Sequence, residues 1–92
     1  MPAVTRVLKA LSNPNRRKVY QIICREGRGR GLSMGRIGRL AGIKQPAVSH
    51  HVARLAAAGL VLRRKAGWRV TCTPAPDGLA ALLRFLRDPA AR

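Results

Sequence analysis

The stretch Gly42-Ile43-Lys44-Gln45-Pro46-Ala47-Val48-Ser49-His50-His51-Val52-Ala53-Arg54-Leu55 constrains this chain more than any other. A glycine and a short turn lead into a segment with helical spacing. At about 100° per residue, Val48, Val52, Leu55 and Gly59 gather on one side. Pro46, His50, Ala53 and Ala57 lie opposite, flanked by Gln45, Ser49 and Arg54. One side of such a helix must be buried, and the other carries only small and polar groups. That is the pattern of the second half of a helix-turn-helix, whose second helix lies in the major groove of DNA.

The flanking sequence supplies the rest of a small domain. Val4, Val7, Leu8 and Leu11 predict a first helix over 3–11, broken by Ser12-Asn13-Pro14. Asn13 is a good N-cap and Pro14 suits a first helical turn. The second helix then runs to about Glu26, with Val19, Ile22 and Ile23 on one side and Gly27 as terminator. Gly27-Arg28-Gly29-Arg30-Gly31 is a flexible basic loop that either touches phosphate or simply connects. Ser33 caps a third helix with Met34, Ile37, Leu40 and Ala41 as its buried stripe. Gly35 and Gly38 inside that helix cost about 1 kcal/mol each relative to Ala, which close approach of another helix or of DNA backbone would rationalise. The fourth helix spans about 45–58. Leu60-Val61-Leu62-Arg63-Arg64 and Trp68-Arg69-Val70-Thr71-Cys72-Thr73 are β-prone, with Lys65-Ala66-Gly67 as a tight turn. Pro74-Ala75-Pro76 ends the hairpin. Leu79, Leu82, Leu83 and Leu86 then form the stripe of a last helix capped by Asp77 and ended by Pro89. The expected fold is mainly α with a small β-hairpin: a winged helix-turn-helix plus a C-terminal helix. It forms one domain over 1–92, with the helix-turn-helix at about 33–58, the wing at about 60–73 and the last helix at about 77–87.

Charge identifies the partner class. Lys and Arg number 19 against three acids, Glu26, Asp77 and Asp88, in 92 residues, a formal net charge of +16. Self-repulsion at this level opposes folding unless a polyanion relieves it. Most of the cations are Arg, which forks onto phosphate and guanine. A GC-rich genome accounts for Arg over Lys but not for the scarcity of acids. Aromatics make up only 3%, which argues against single-strand binding by base stacking and for double-stranded DNA. No apolar run approaches the roughly 20 residues that span a bilayer. The start, Met1-Pro2-Ala3-Val4-Thr5-Arg6, lacks a signal-peptide apolar segment. The expected location is the cytoplasm, with no membrane partner, and there Cys24 and Cys72 are expected as free thiols.

The expected chemistry is contact, not catalysis. No paired carboxylates, activated nucleophile or phosphate-cradling glycine motif is present, so no enzyme and no cofactor is expected. The candidate readers are Gln45, which can bond adenine bidentately, Pro46 on the exposed face, Ser49 and His50. Arg54, further along, takes phosphate. His51 falls toward the buried side, where packing and an internal hydrogen bond are expected. Adjacent residues on a helix diverge, so His50 and His51 do not form a metal pair. On the wing, Arg63, Arg64, Lys65 and Arg69 reach flanking backbone or minor groove, and Trp68 is expected to cover the wing's base.

Several of these residues resemble the ArsR/SmtB family of winged-helix repressors. Leu8-Lys9-Ala10-Leu11-Ser12-Asn13-Pro14-Asn15-Arg16-Arg17 is similar to the family's lead into its second helix. Gln45 to Leu55 is similar to its recognition helix, and Ala58-Gly59-Leu60-Val61 to the residues before its wing. The resemblance implies a homodimer paired through first and last helices, with Val4, Leu8, Leu79, Leu82, Leu83 and Leu86 at the interface. Packing of those leucines onto their own core is the alternative. It also implies a palindromic operator and release by an inducer. The family's metal-sensing positions are not matched: the third helix reads Ser33-Met34-Gly35-Arg36-Ile37-Gly38, and no His follows His51. No metal is therefore expected. Redox sensing by Cys24 and Cys72 stays open beside inert buried thiols, and the inducer is unknown. A rival reading is an architectural or ribosome-associated basic protein built on a winged-helix scaffold.

Overall fold

The computed structural model describes residues 2–91; Met1 and Arg92, at the ends of the span considered above, lie outside them. The element order is α1 (Ala3–Ser12), α2 (Pro14–Glu26), β1 (Leu32–Ser33), α3 (Met34–Ala41), α4 (Gln45–Ala57), β2 (Val61–Ala66), β3 (Arg69–Pro74) and α5 (Pro76–Arg87). This is a mainly helical winged helix-turn-helix. The two expected strands gain a third, because β1 pairs antiparallel with the free edge of β3, giving the order β1-β3-β2. Leu32 sits opposite Cys72 and Ser33 opposite Thr71. A two-residue strand has no room for a period-2 pattern, so nothing in the sequence marks it.

Local chemistry sets the helix ends. Asn13 Oδ1 accepts from the Arg16 amide at 3.0 Å, and Ser33 Oγ from the Arg36 amide at 3.2 Å. Both expected caps are made. Asp77 is not a cap: the N-cap of α5 is Ala75 and no side chain bonds there, so Asp77 instead lies in the first turn. Its carboxylate still favours the positive end of the helix dipole. Gly42 ends α3 in the left-handed region at φ 70°, a conformation that costs a side-chain-bearing residue energy.

One apolar cluster joins the helices. Val7, Val19, Ile23, Ile37, Val48, Val52, Leu55 and Leu60 are fully buried within it, and Val61 and Cys72 bring the base of the wing into the same core. Leu40, expected in the buried stripe of α3, is 44% exposed, and Gly38 is buried in its place beside the expected Ile37 and Ala41. Gly38 explains the shift. A Cβ there would lie 2.5 Å from Gln45 Nε2 and 3.0 Å from the Ile43 carbonyl. The missing side chain lets the start of α4 lie directly on α3, which rolls Leu40 outward. At Gly35 a Cβ would meet only the Arg39 guanidinium, at 3.6 Å.

His51 is half-buried against this packing, as expected for a packing role, but its Nδ1 makes no hydrogen bond. The expected internal bond at that atom is therefore absent. Burial, then the charge of Arg16, then His50, lower its pKa below the ordinary 6.5.

Two predictions follow from this packing. Gly38→Ala should destabilise the fold by about 1–3 kcal/mol through overpacking, whereas Gly35→Ala should be neutral or stabilising by up to about 1 kcal/mol. Thermal melts of the two variants check this, and equal effects would contradict it. For His51, the unfolded chain takes up the proton first, because its pKa is the higher one. Stability is thus full above about 6.5 and declines as pH falls through that value toward the folded pKa. His51→Gln should flatten part of this decline, worth at most about 1.4 kcal/mol per pH unit, in melts recorded across that window.

Candidate nucleic-acid interface

Burial of Val48, Val52 and Leu55 against α2 and α3 fixes the rotation of α4. The opposite side then faces solvent, and Gln45, Pro46, Ser49, His50, Ala53, Arg54 and Ala57 are all exposed on it. The five helix residues singled out by spacing therefore do come together on one face. Gln45 has a further tie. Its amide Nε2 donates to the Met34 carbonyl at 3.1 Å, lying across the space that Gly38 leaves. In this conformation it braces α4 against α3, so bidentate contact with adenine requires releasing that bond. His50 and His51 have ring centroids 5.7 Å apart, tilted by 59°, and their degrees of exposure differ as the helical phase requires.

Arg54 does not stand alone. It shares an open groove with Arg6 and Lys9 of α1 and Arg16 of α2, floored by Ala10, Ala57 and Ala58. Arg16 is half-buried, and its Nε has no hydrogen-bond partner. Its juxtaposition with Arg54 comes from the crossing of α2 and α4, which no local pattern encodes.

The wing divides its cations between two faces. In the β2–β3 ladder, Arg63 pairs with Cys72 and Lys65 with Val70, while Arg64 pairs with Thr71 and Ala66 with Arg69. Paired residues share a face and successive residues alternate. Arg63 and Lys65 thus share the face whose base, Val61 and Cys72, enters the core, and Arg64 and Arg69 lie on the outer face. There the Gly-Arg loop joins them. Arg28 and Arg30 line one groove with Arg64, Thr71 and Thr73, and Arg25, Arg30 and Arg36 line another with Arg69 and Glu26. The loop left open in the sequence is part of a continuous basic surface with the wing.

Trp68 requires a correction. The turn consists of Gly67 and Trp68, because Ala66 pairs directly with Arg69. The expected turn was placed too early. Gly67 supplies φ 62°, as the first central position of a two-residue hairpin turn often demands. Trp68 therefore sits at the wing tip, not over its base, and is 91% exposed.

The thiols differ. Cys72 is buried, and its Sγ–H donates to Met34 Sδ at 3.6 Å. Burial pushes the Cys72 thiol pKa up, against a smaller opposing effect of Arg63, which disfavours the reactive thiolate. Cys24 is half-buried beside Tyr20, whose phenol is pushed up to about 12 by burial first and Cys24 second.

A separate apolar surface lies on α1 and α5, which pack on each other. Leu8, Leu79, Leu83 and Leu86 are exposed there, as is Phe85, which the leucine stripe did not include. Val4 is half-buried, and Leu82 packs against the chain's own core. Leu82 thus fits the structural alternative, and the other leucines leave an unpartnered face.

A helix-turn-helix domain family model matches residues 11–64, more than half of the chain. No curated protein sequence matches it significantly. Among solved structures, an ArsR family transcriptional regulator superposes with a TM-score of 0.80 at 20% identity, covering 95% of this chain and 86% of that one. A homodimeric winged helix-turn-helix DNA-binding domain from Mycobacterium bovis, described as a possible ArsR-family regulator, gives 0.71 at 26% identity, covering 96% and 78%. Reduced HlyU from Vibrio cholerae gives 0.70 at 26% identity, covering 97% and 90%. No helix among the described residues is long and apolar enough to cross a membrane. The matched region holds the α4 face just described, and the fold continues through the basic wing. The chain belongs to the helix-turn-helix domain family, as a winged helix-turn-helix regulator of the ArsR/SmtB type.

Proposed function

We propose that this chain is a sequence-specific transcriptional repressor that binds a palindromic operator as a homodimer. The observation that carries the reading is the face of α4. It is stripped of bulky apolar groups, held in one rotation, and furnished with Ser49, His50 and Arg54. In the proposed complex this face enters the major groove. Ser49 and His50 meet base edges, Pro46 and Ala53 allow close approach, and Arg54 with Arg16 takes phosphate. Gln45 joins the readers where adenine replaces the Met34 carbonyl as its partner. Arg63, Arg64, Lys65 and Arg69 hold flanking backbone. No substrate, metal or cofactor enters this mechanism.

The exposed leucines of α1 and α5 are proposed as the dimer seam, in keeping with the homodimeric Mycobacterium bovis domain. A two-fold seam presents two α4 helices to half-sites about one helical turn apart. The cysteines enter the mechanism only as a proposal for Cys24, which keeps part of its surface. Cys72 is buried.

Three measurements test the reading. A duplex selected from a random pool by the protein itself should compete roughly 10³-fold better than random duplex at physiological salt. Equal competition would favour the architectural alternative. Ser49→Ala and His50→Ala should weaken the selected duplex more than random DNA. Arg64→Ala should weaken both alike and reduce the salt slope by about 0.9. Leu83→Glu should yield a monomer in sedimentation while keeping the helical spectrum, since Leu83 lies outside the core. A dimer that survives Leu83→Glu and Leu86→Glu together would contradict the proposed seam.

A further inference from the structure

We infer that Trp68 is a DNA-contacting residue, whose indole packs against the sugar wall of the minor groove flanking the segment read by α4. The inference rests on the DNA-binding reading above and adds an apolar contact to it. An indole is a large hydrophobic surface, usually covered in a folded protein. Here the chain's one tryptophan is 91% exposed, on a hairpin tip whose turn holds only Gly67 beside it. Nothing in the fold needs a tryptophan there, because the turn geometry is met by Gly67 and the core by Val61 and Cys72.

Position and charge name the occupant. Trp68 and Arg69 share a surface groove with Ser33, Met34 and Gly35 at the start of α3. The Met34 carbonyl of that groove accepts the Gln45 amide from the start of α4. The wing tip therefore lies beside the start of α3, which in turn holds the start of α4. Around the indole, Lys65 and Arg69 flank the turn, and Arg36 lies beyond Ser33 on the Arg69 side. A polyanion with apolar faces fits this setting, and an acidic residue is absent from the groove. Duplex DNA offers both features in its minor groove, where sugars form the walls and phosphates the rims. Proteins that bind there often insert apolar side chains.

The single tryptophan makes the test direct. In the free protein, acrylamide should quench the indole fully. On the selected duplex, with binding followed independently by anisotropy of labelled DNA, quenching should be largely shut out. Hydroxyl-radical cleavage, which reads sugars from the minor groove, should show outer protected positions that vanish in Trp68→Ala while the central ones persist. Affinity of Trp68→Ala should fall roughly 10-fold or more, the scale of covering one large apolar side chain, and Trp68→Phe should recover part of it. The exposed position leaves the core untouched, and a thermal melt of each variant verifies this. Duplex binding with an indole still open to acrylamide, or an unchanged Trp68→Ala footprint and affinity, overturns the inference alone. Protection by single strands but not duplex overturns it too, by assigning the wrong nucleic acid. No DNA binding by the wild-type chain overturns the functional reading with it.

Discussion

Three aliphatic side chains, Val48, Val52 and Leu55, decide what this molecule can present. Each is fully buried against α2 and α3, and full burial of one such side chain contributes about 1.5–3 kcal/mol. Rotating α4 by even one residue's angle would withdraw that stripe and turn Arg54 one way, or Ser49 and Ala53 the other way, toward the core in its place. The opposite face is therefore outward by necessity. Gly38 makes the seat tighter, since its missing Cβ lets the Gln45 side chain lie on α3 and reach the Met34 carbonyl. The reading face and the core are two sides of the same thirteen-residue helix, so a core substitution under α4 also disturbs how it meets DNA.

Much of this was legible from the chain alone. The helical period of α4, the Asn13 and Ser33 caps and the alternation of helices with a hairpin all placed elements within a residue or two. These signals are local: a cap needs only its own turn, and a stripe only its own helix. What escaped depends on partners distant in sequence. β1 exists because β3 has a free edge beside it. Leu40 faces outward because Gly38 lets α4 sit close to α3. His51 lies on the side its phase assigns, yet its Nδ1 is unbonded, because helical phase fixes which side a residue faces and not which partners the neighbouring helix brings there. Trp68 misleads for another reason. Aromatics favour strands and burial, and both tendencies place it in β3. The ladder register instead ends at Ala66 and Arg69 and leaves it in the turn.

The charge acquires a layout in three dimensions. A formal +16 on 92 residues is spread over the α4 groove, both faces of the wing and the Gly-Arg loop. Arg54 with Arg16, and Arg64 with Arg28 and Arg30, are pairs that only the fold assembles. Cations held this close repel one another and disfavour the compact state until an anion arrives. DNA is thus expected to stabilise this fold as well as to be bound by it. The apolar surface lies elsewhere, on α1 and α5, where Leu8, Leu79, Leu83 and Leu86 remain uncovered in a single chain. The leucine face of the proposed dimer seam is thus kept apart from the basic surfaces, and Trp68 is a large apolar side chain exposed on the wing among the cations.

In the proposed complex α4 occupies the major groove twice, on one face of the duplex. Methylation interference at guanine N7 reports that groove directly. On the duplex selected by the protein, two interfering patches about 10 base pairs apart are expected. They should weaken in His50→Ala and persist in Trp68→Ala. A single patch, or interference spread evenly along the duplex, would contradict the account.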